Sequence, residues 1–166
     1  MTDRVEYQGD GFGLVDDKGR VAIPASLRSA LAANAPRADG KDGGNVVIAV
    51  HQKNKCLIAY DPAYRAVLKR QADAREANYT ADDGEFDYNI KRRVSHGEEV
   101  PFDGSGRCIL PGFPRDFANI DKHAFFWGVF DYFEIWDPKT LIDTEGLPDV
   151  MKAAARYHLK QKGIAL

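Results

Sequence analysis

An α+β fold, in which two copies of one short-stranded unit share a single small β-barrel-like core with helices outside, is predicted by three features of this 166-residue sequence. The first is an internal repeat. Asp16-Asp17-Lys18-Gly19-Arg20-Val21-Ala22-Ile23-Pro24-Ala25-Ser26-Leu27-Arg28 and Asp103-Gly104-Ser105-Gly106-Arg107-Cys108-Ile109-Leu110-Pro111-Gly112-Phe113-Pro114-Arg115 share Asp, Gly, Arg, Pro and Arg at one constant offset. Self-similarity of that kind marks a duplicated structural unit. The second is an echo further along each copy, Leu57-Ile58-Ala59-Tyr60-Asp61-Pro62 against Phe133-Glu134-Ile135-Trp136-Asp137-Pro138, at a shorter offset. The first copy therefore carries an insertion, placed in the Gly-, Asp- and Ala-rich stretch 34–45 as a surface loop. The third is the brevity of the apolar runs: strands this short cannot close a core within one copy, so the copies must pack on each other.

Each copy follows one grammar. The Gly-rich segment Gly9-Asp10-Gly11-Phe12-Gly13 reads as turn geometry. An Asp-x-x-Gly turn then leads into a strand, 21–23 in one copy and 108–110 in the other. Pro24 and Pro111 suit the first position of the helices that follow, 24–33 and 112–118, because the missing N–H has no partner to lose there. Strands are expected at 46–50 and 57–60, and again at 124–129 and 132–136. Asp61 and Asp137, each before a proline, are the expected N-caps of the next helices. Tyr64, Val67, Leu68, Gln71 and Ala72 trace one face of a helix over 62–75. In 84–94, Phe86, Tyr88 and Ile90 alternate while Phe86, Ile90 and Val94 recur every four residues; the reading leans to helix. The last helix is expected over 148–162, stopped by Gly163. Phe125, Phe126, Trp127, Phe130, Tyr132, Phe133 and Trp136 are expected to supply the bulk of the core.

Composition narrows the function classes. Hydrophobic residues make up 44% and charged residues 29%, which suits a soluble globular domain. The longest apolar runs, 46–50 and 124–130, fall well below the roughly 18 residues that cross a bilayer, so no membrane association is expected. Met1-Thr2-Asp3-Arg4 opens no apolar signal segment, which makes a cytoplasmic protein the expectation. Cys56 and Cys108 are too few for a disulfide framework. His51, His96, His123 and His158 have no metal-site spacing, and no metal or organic cofactor is expected. Gly9–Gly13 follows no apolar strand and opens no helix, unlike a phosphate loop. Neighbours such as Asp16-Asp17 or Asp82-Asp83 diverge on an extended chain, so no catalytic carboxylate pair is expected and an enzyme is disfavoured.

The repeated arginines are the distinctive chemistry. Arg20 and Arg107 open matching strands, each four residues after an aspartate; Arg28 and Arg115 follow the matching prolines. The guanidinium fork suits phosphate oxygens and guanine O6 and N7. Equally, each Asp-x-x-x-Arg could close its own turn by an internal ion pair. A second basic stripe, Lys152, Arg156 and Lys160, has helical spacing, though such stripes are more often solvated faces.

These motifs, together with Val129-Phe130-Asp131-Tyr132-Phe133-Glu134-Ile135-Trp136 and the intervening Arg92-Arg93, resemble the bacterial MraZ family over about residues 7–140. The resemblance implies tandem AbrB-like swapped-hairpin repeats: a first repeat over 7–62, a helical connection over 63–96, a second repeat over 97–140 and a C-terminal helical segment over 141–166. It implies a ring homo-oligomer and a cytoplasmic, nucleoid-associated transcriptional regulator, a repressor in the leading form. Its partner would be double-stranded DNA, at repeated promoter sites of the division and cell-wall gene cluster. The family's DNA-contacting motif falls on Asp16, Lys18 and Arg20 and on Asp103 and Arg107, with Arg28 and Arg115 as neighbours. This chain departs from the family pattern in its long 34–45 loop and in Ser105, which stands where the first copy has Lys18. The alternative is a structural or protein-interaction oligomer without DNA specificity.

Overall fold

Gly19 and Gly106 take φ values of +83° and +82°, the left-handed conformation that lets each Asp-x-x-Gly segment reverse the chain. The turns launch two of eight strands in the computed structural model, which describes residues 3–79 and 86–165. The strands are β1 (Asp10–Leu14), β2 (Arg20–Ala22), β3 (Gly44–Val50), β4 (Leu57–Tyr60), β5 (Glu98–Phe102), β6 (Arg107–Ile109), β7 (His123–Val129) and β8 (Tyr132–Trp136). They form one antiparallel sheet in the order β1-β7-β8-β4-β3-β5-β6-β2. The order records an exchange: β1 pairs with β7 of the other copy, and β5 pairs with β3. The sheet curls until β1 approaches β2, so that a Cβ on Gly13 would lie 2.7 Å from Val21 Cγ2. Tandem swapped-hairpin repeats thus share one nearly closed barrel.

The exchange explains two differences from the sequence reading. The Gly9–Gly13 segment is largely strand β1, not a turn. Gly11 and Gly13 are small because the neighbours approach closely: a Cβ on Gly11 would meet Pro24 Cγ at 2.4 Å. Strand β5 was hidden in Glu98-Glu99-Val100-Pro101-Phe102, whose polar start and proline mask it. Pro101 is accommodated because the edge of β5 away from β3 meets β6 only at Phe102, opposite Cys108. The insertion is also divided. The offset between copies is 87 at Val21/Cys108, 78 at Ile48/Phe126 and 76 at Tyr60/Trp136, so two of the extra residues lie in the β3–β4 hairpin.

The helices are α1 (Ala25–Asn34), α2 (Pro62–Ala77), α3 (Asn89–Val94), α4 (Gly112–Phe117), α5 (Pro138–Asp143) and α6 (Asp149–Gln161). Pro24 and Pro111 sit one position earlier than expected, as N-caps with extended ψ. Asp61 and Asp137 cap α2 and α5 through bonds from Tyr64 N and Thr140 N. Gly163 follows the last helix at φ +69°, with Ile164 N bonded to Leu159 O and Gly163 N to Lys160 O, a complete Schellman closure. Helix α3 fulfils part of the 84–94 expectation; residues 80–85, with Asp82 and Asp83, lie outside the described residues.

The core differs from the aromatic one expected. The barrel interior mixes aliphatics of both copies, among them Val21, Ile23, Leu27, Ile48, Leu57, Leu110 and Ile135, with Phe126 and Phe133. Phe125 and Trp136 instead point outward and pack under α5 and α6 with Leu141, Met151 and Ala155. Phe130, at φ +61° in the β7–β8 turn, is exposed. On α2 only Ala72 is buried, while Tyr64, Val67 and Leu68 are half-covered and Gln71 is exposed.

Candidate nucleic-acid interface

The two Asp-x-x-x-Arg motifs fold into matching devices. Asp16 Oδ1 accepts the backbone N–H of Lys18 and of Arg20, both at 2.9 Å, while Oδ2 accepts Arg20 Nε at 2.7 Å. Asp103 repeats this with Ser105 N and Arg107 N at 2.9 Å and Arg107 Nε at 2.9 Å. These backbone and side-chain bonds from the arginines hold both carboxyls below the ordinary carboxylate range. Each aspartate is therefore a charged clamp at neutral pH. Because only Nε is used, both terminal amino groups of Arg20 and of Arg107 remain without a protein partner among the described residues.

Register decides where those groups point. In the β2–β6 ribbon Arg20 stands opposite Ile109, Val21 opposite Cys108 and Ala22 opposite Arg107. Alternation sends Val21 and Cys108 into the core and turns Arg20, Ala22, Arg107 and Ile109 to the outside. The two arginines are thus diagonal neighbours on one exposed face, about 7–8 Å apart at Cα. The local pseudo-twofold axis runs through the Val21–Cys108 pair, since these residues are each other's equivalents. Arg20, Arg107 and Ile109 line a common groove of about 760 Å³.

Arg28 and Arg115 are placed differently. Arg28 Nη1 donates to Ser105 O at 2.6 Å, bracing the turn of the other copy. Arg115 donates through Nε to Ile120 O and through Nη2 to Asp121 O, both at 2.9 Å, and lies against Gly19. Each sits under a turn, and the geometry gives both a bracing task. The turns are also unequal. The inserted 34–45 loop leans on the second, where a Cβ on Gly104 would lie 3.1 Å from Asp42 Cβ. Asp42, Glu98 and Arg37 all line the groove, whereas Lys18 stands beside Arg20.

Sequence reasoning missed Ala22 and Ile109 as members of this face. The signal was available in the two-residue alternation around Val21 and Cys108. Among the described residues no cluster of His, Cys, Asp and Glu has metal-site geometry. His51 faces Glu134 at 3.5 Å and His158 pairs with Asp10, contacts internal to the fold. Lys152, Arg156 and Lys160 lie along α6. No helix among the described residues is long and apolar enough to cross a membrane.

Comparison with known proteins bears on the second copy and on the whole chain. A family model described as "MraZ protein, putative antitoxin-like" matches residues 94–144. A protein of Ruegeria sp. (strain TM1040) named transcriptional regulator MraZ is 33% identical over 141 residues, covering 84% of this chain and 81% of that protein. The protein of the same name from Ruegeria pomeroyi is 32% identical, covering 81% and 78%. That from Alcanivorax borkumensis is 29% identical, covering 86% and 90%.

Proposed function

The chain belongs to the MraZ family, and from that premise we propose that it is a transcriptional regulator that binds DNA through the outer face of the β2–β6 ribbon. The observation that carries this reading is the pair of clamped, outward arginines on one face. A two-stranded ribbon fits the major groove, and an Arg fork fits guanine or phosphate there. The Asp16 and Asp103 clamps hold the forks in position before contact, which lowers the entropy lost on binding. Arg20 with Lys18 is the principal contact; Arg107, with Ser105 where the first copy has Lys18, is the weaker. Arg28 acts by holding the opposite turn, and Arg115 by holding the 120–121 loop beneath the first turn.

The finer reading is a repressor of the division and cell-wall gene cluster, acting in the cytoplasm on the nucleoid. A ring homo-oligomer would set successive ribbons on repeated promoter sites, making each later contact intramolecular. The thin cover on α2 and the exposed Phe113 and Phe117 support association between copies. The strand exchange supports the division into repeats over 7–62 and 97–140, joined by 63–96 and followed by 141–166.

The test is a gel-shift titration on the chain's own upstream DNA at two salt concentrations, with Arg20→Ala and Arg107→Ala beside the wild type. Binding should weaken steeply with salt. Losing one bidentate contact costs about 1–3 kcal/mol, repeated in every subunit, so Arg20→Ala should abolish specific binding and Arg107→Ala weaken it less. Circular dichroism and light scattering should be unchanged. Wild-type binding by Arg20→Ala would move the interface elsewhere, with the α6 stripe next to be tested.

A further inference from the structure

We propose that Ile109 is a base-reading residue that takes the 5-methyl group of thymine, giving the ribbon a directional, non-palindromic target. The inference rests on the DNA-binding reading above. Ile109 is 52% exposed on a three-residue strand whose central side chain is fully inside, so folding leaves an aliphatic group in water. It lies directly opposite Arg20, in the groove that Arg20 and Arg107 also line. Directly opposed residues on one ribbon face have Cβ atoms about 5 Å apart, a distance of one to two base-pair steps of about 3.4 Å. A guanine-reading fork and an aliphatic group would therefore touch neighbouring base pairs. In the major groove the one apolar group on a base edge is the thymine methyl.

The comparison between copies sharpens this. The pseudo-axis through Val21 and Cys108 carries Arg20 onto Arg107 and Ala22 onto Ile109. Were those pairs alike, the face would read a palindrome. Ala22 ends at its Cβ, whereas Ile109 reaches one to two bonds further, so only one half of the face can cover a methyl group. The Lys18/Ser105 difference is disposed about the same axis and biases phosphate contact to the end of the ribbon where Arg20 and Ile109 stand opposite each other. One subunit thus has a head and a tail on DNA.

The experiment uses duplexes of the upstream DNA in which each thymine of the bound site is replaced, one at a time, by deoxyuridine, which removes only the methyl. Wild-type protein should lose about fourfold in affinity at one thymine of each bound unit, the equivalent of one methyl buried. Ile109→Ala should bind the thymine and deoxyuridine duplexes equally, at about the wild-type deoxyuridine level. Ala22→Ile, a gain-of-contact variant, should create a second sensitive thymine related by the pseudo-axis. Thermal unfolding of both variants should match the wild type, since both positions face outward. Indifference of the wild type to every replacement, or discrimination retained by Ile109→Ala, overturns the proposal while leaving the DNA-binding reading standing. Absence of any DNA binding overturns both.

Discussion

Asp61→Ala tests how the amino-terminal segment is held to the barrel. The Asp61 carboxylate is fully buried and accepts Arg4 Nη2 at 2.6 Å, Arg4 Nη1 at 3.0 Å, Tyr7 Oη at 2.7 Å and Tyr64 N at 3.0 Å. Arg4 also lies over the Tyr64 ring at 4.8 Å. Truncation removes the cap of α2 and strands a guanidinium and a buried phenol. Breaking one side of a buried pair costs about 3–5 kcal/mol; Arg4, a quarter exposed, can rehydrate, which favours about 3 kcal/mol. Asp137 is an internal control, capping α5 through Thr140 with no arginine attached, and Asp137→Ala should cost about 1 kcal/mol. With a urea slope of about 2 kcal/mol/M, the midpoints should fall by about 1.5 M and about 0.5 M, followed by fluorescence of Trp127 and Trp136. Equal midpoints for the two variants would refute the clamp. The pH dependence has a definite sign. Burial pushes the Asp61 carboxyl up, but the Arg4 and Tyr7 hydrogen bonds outweigh it and leave it below its usual range. Its contribution is therefore complete above the unfolded value of about 3.9 and is lost as pH falls through the folded value. Asp61→Asn should flatten that part of the acid limb.

Three further outcomes are expected. Gly128→Ala would place a Cβ 2.3 Å from Tyr7 O, backbone against backbone, so the variant should unfold at lower temperature by far more than a surface substitution, as read by calorimetry. Gly19→Ala must hold φ +83° with its Cβ 3.3 Å from Arg115 Nη1; it should destabilise the protein by about 1 kcal/mol or more and weaken DNA binding, checked by urea titration and gel shift. Burial pushes the Cys108 thiol up to about 12, with Asp103 adding to it, and raises Cys56 further. Neither should react with iodoacetamide at pH 8 in the folded protein, and both should react in urea, as counted by mass spectrometry.

What could be read from the chain was what is decided locally. An Asp side chain that bonds amides two and four residues on, and a glycine at positive φ, need only their own neighbours, so both turns stood out before any fold was known. Strand pairs β3–β4 and β7–β8 were equally legible, being adjacent hairpins with uninterrupted apolar runs. Strands β1 and β5 were not, because each is made a strand by a partner in the other copy, and Gly11 and Gly13 are selected by contacts with Pro24 and Val21. The same cause hid the tasks of Arg28 and Arg115. Spacing placed them on matching helices, but the carbonyls that engage them belong to the opposite turn or to the 120–121 loop. Phe125 and Trp136 read as barrel core because their apolar character does not reveal that α5 and α6 cover them on the outer face of the sheet.

The exchanged strands set a timetable for synthesis. Asp10 pairs with Trp127 and Leu14 with His123, so β1 leaves the ribosome long before its partner is translated. Until then the nascent first half can form the β3–β4 hairpin but must carry β1 without a neighbour and β3 with one edge open, the kind of surface on which strands of another chain add. The barrel can close only after β8 has emerged, and a message that ends early yields two raw edges instead of half a regulator. Pairing over so long a stretch of chain also slows closure relative to local hairpins. The edges left open during elongation are those that the second half of the chain later fills.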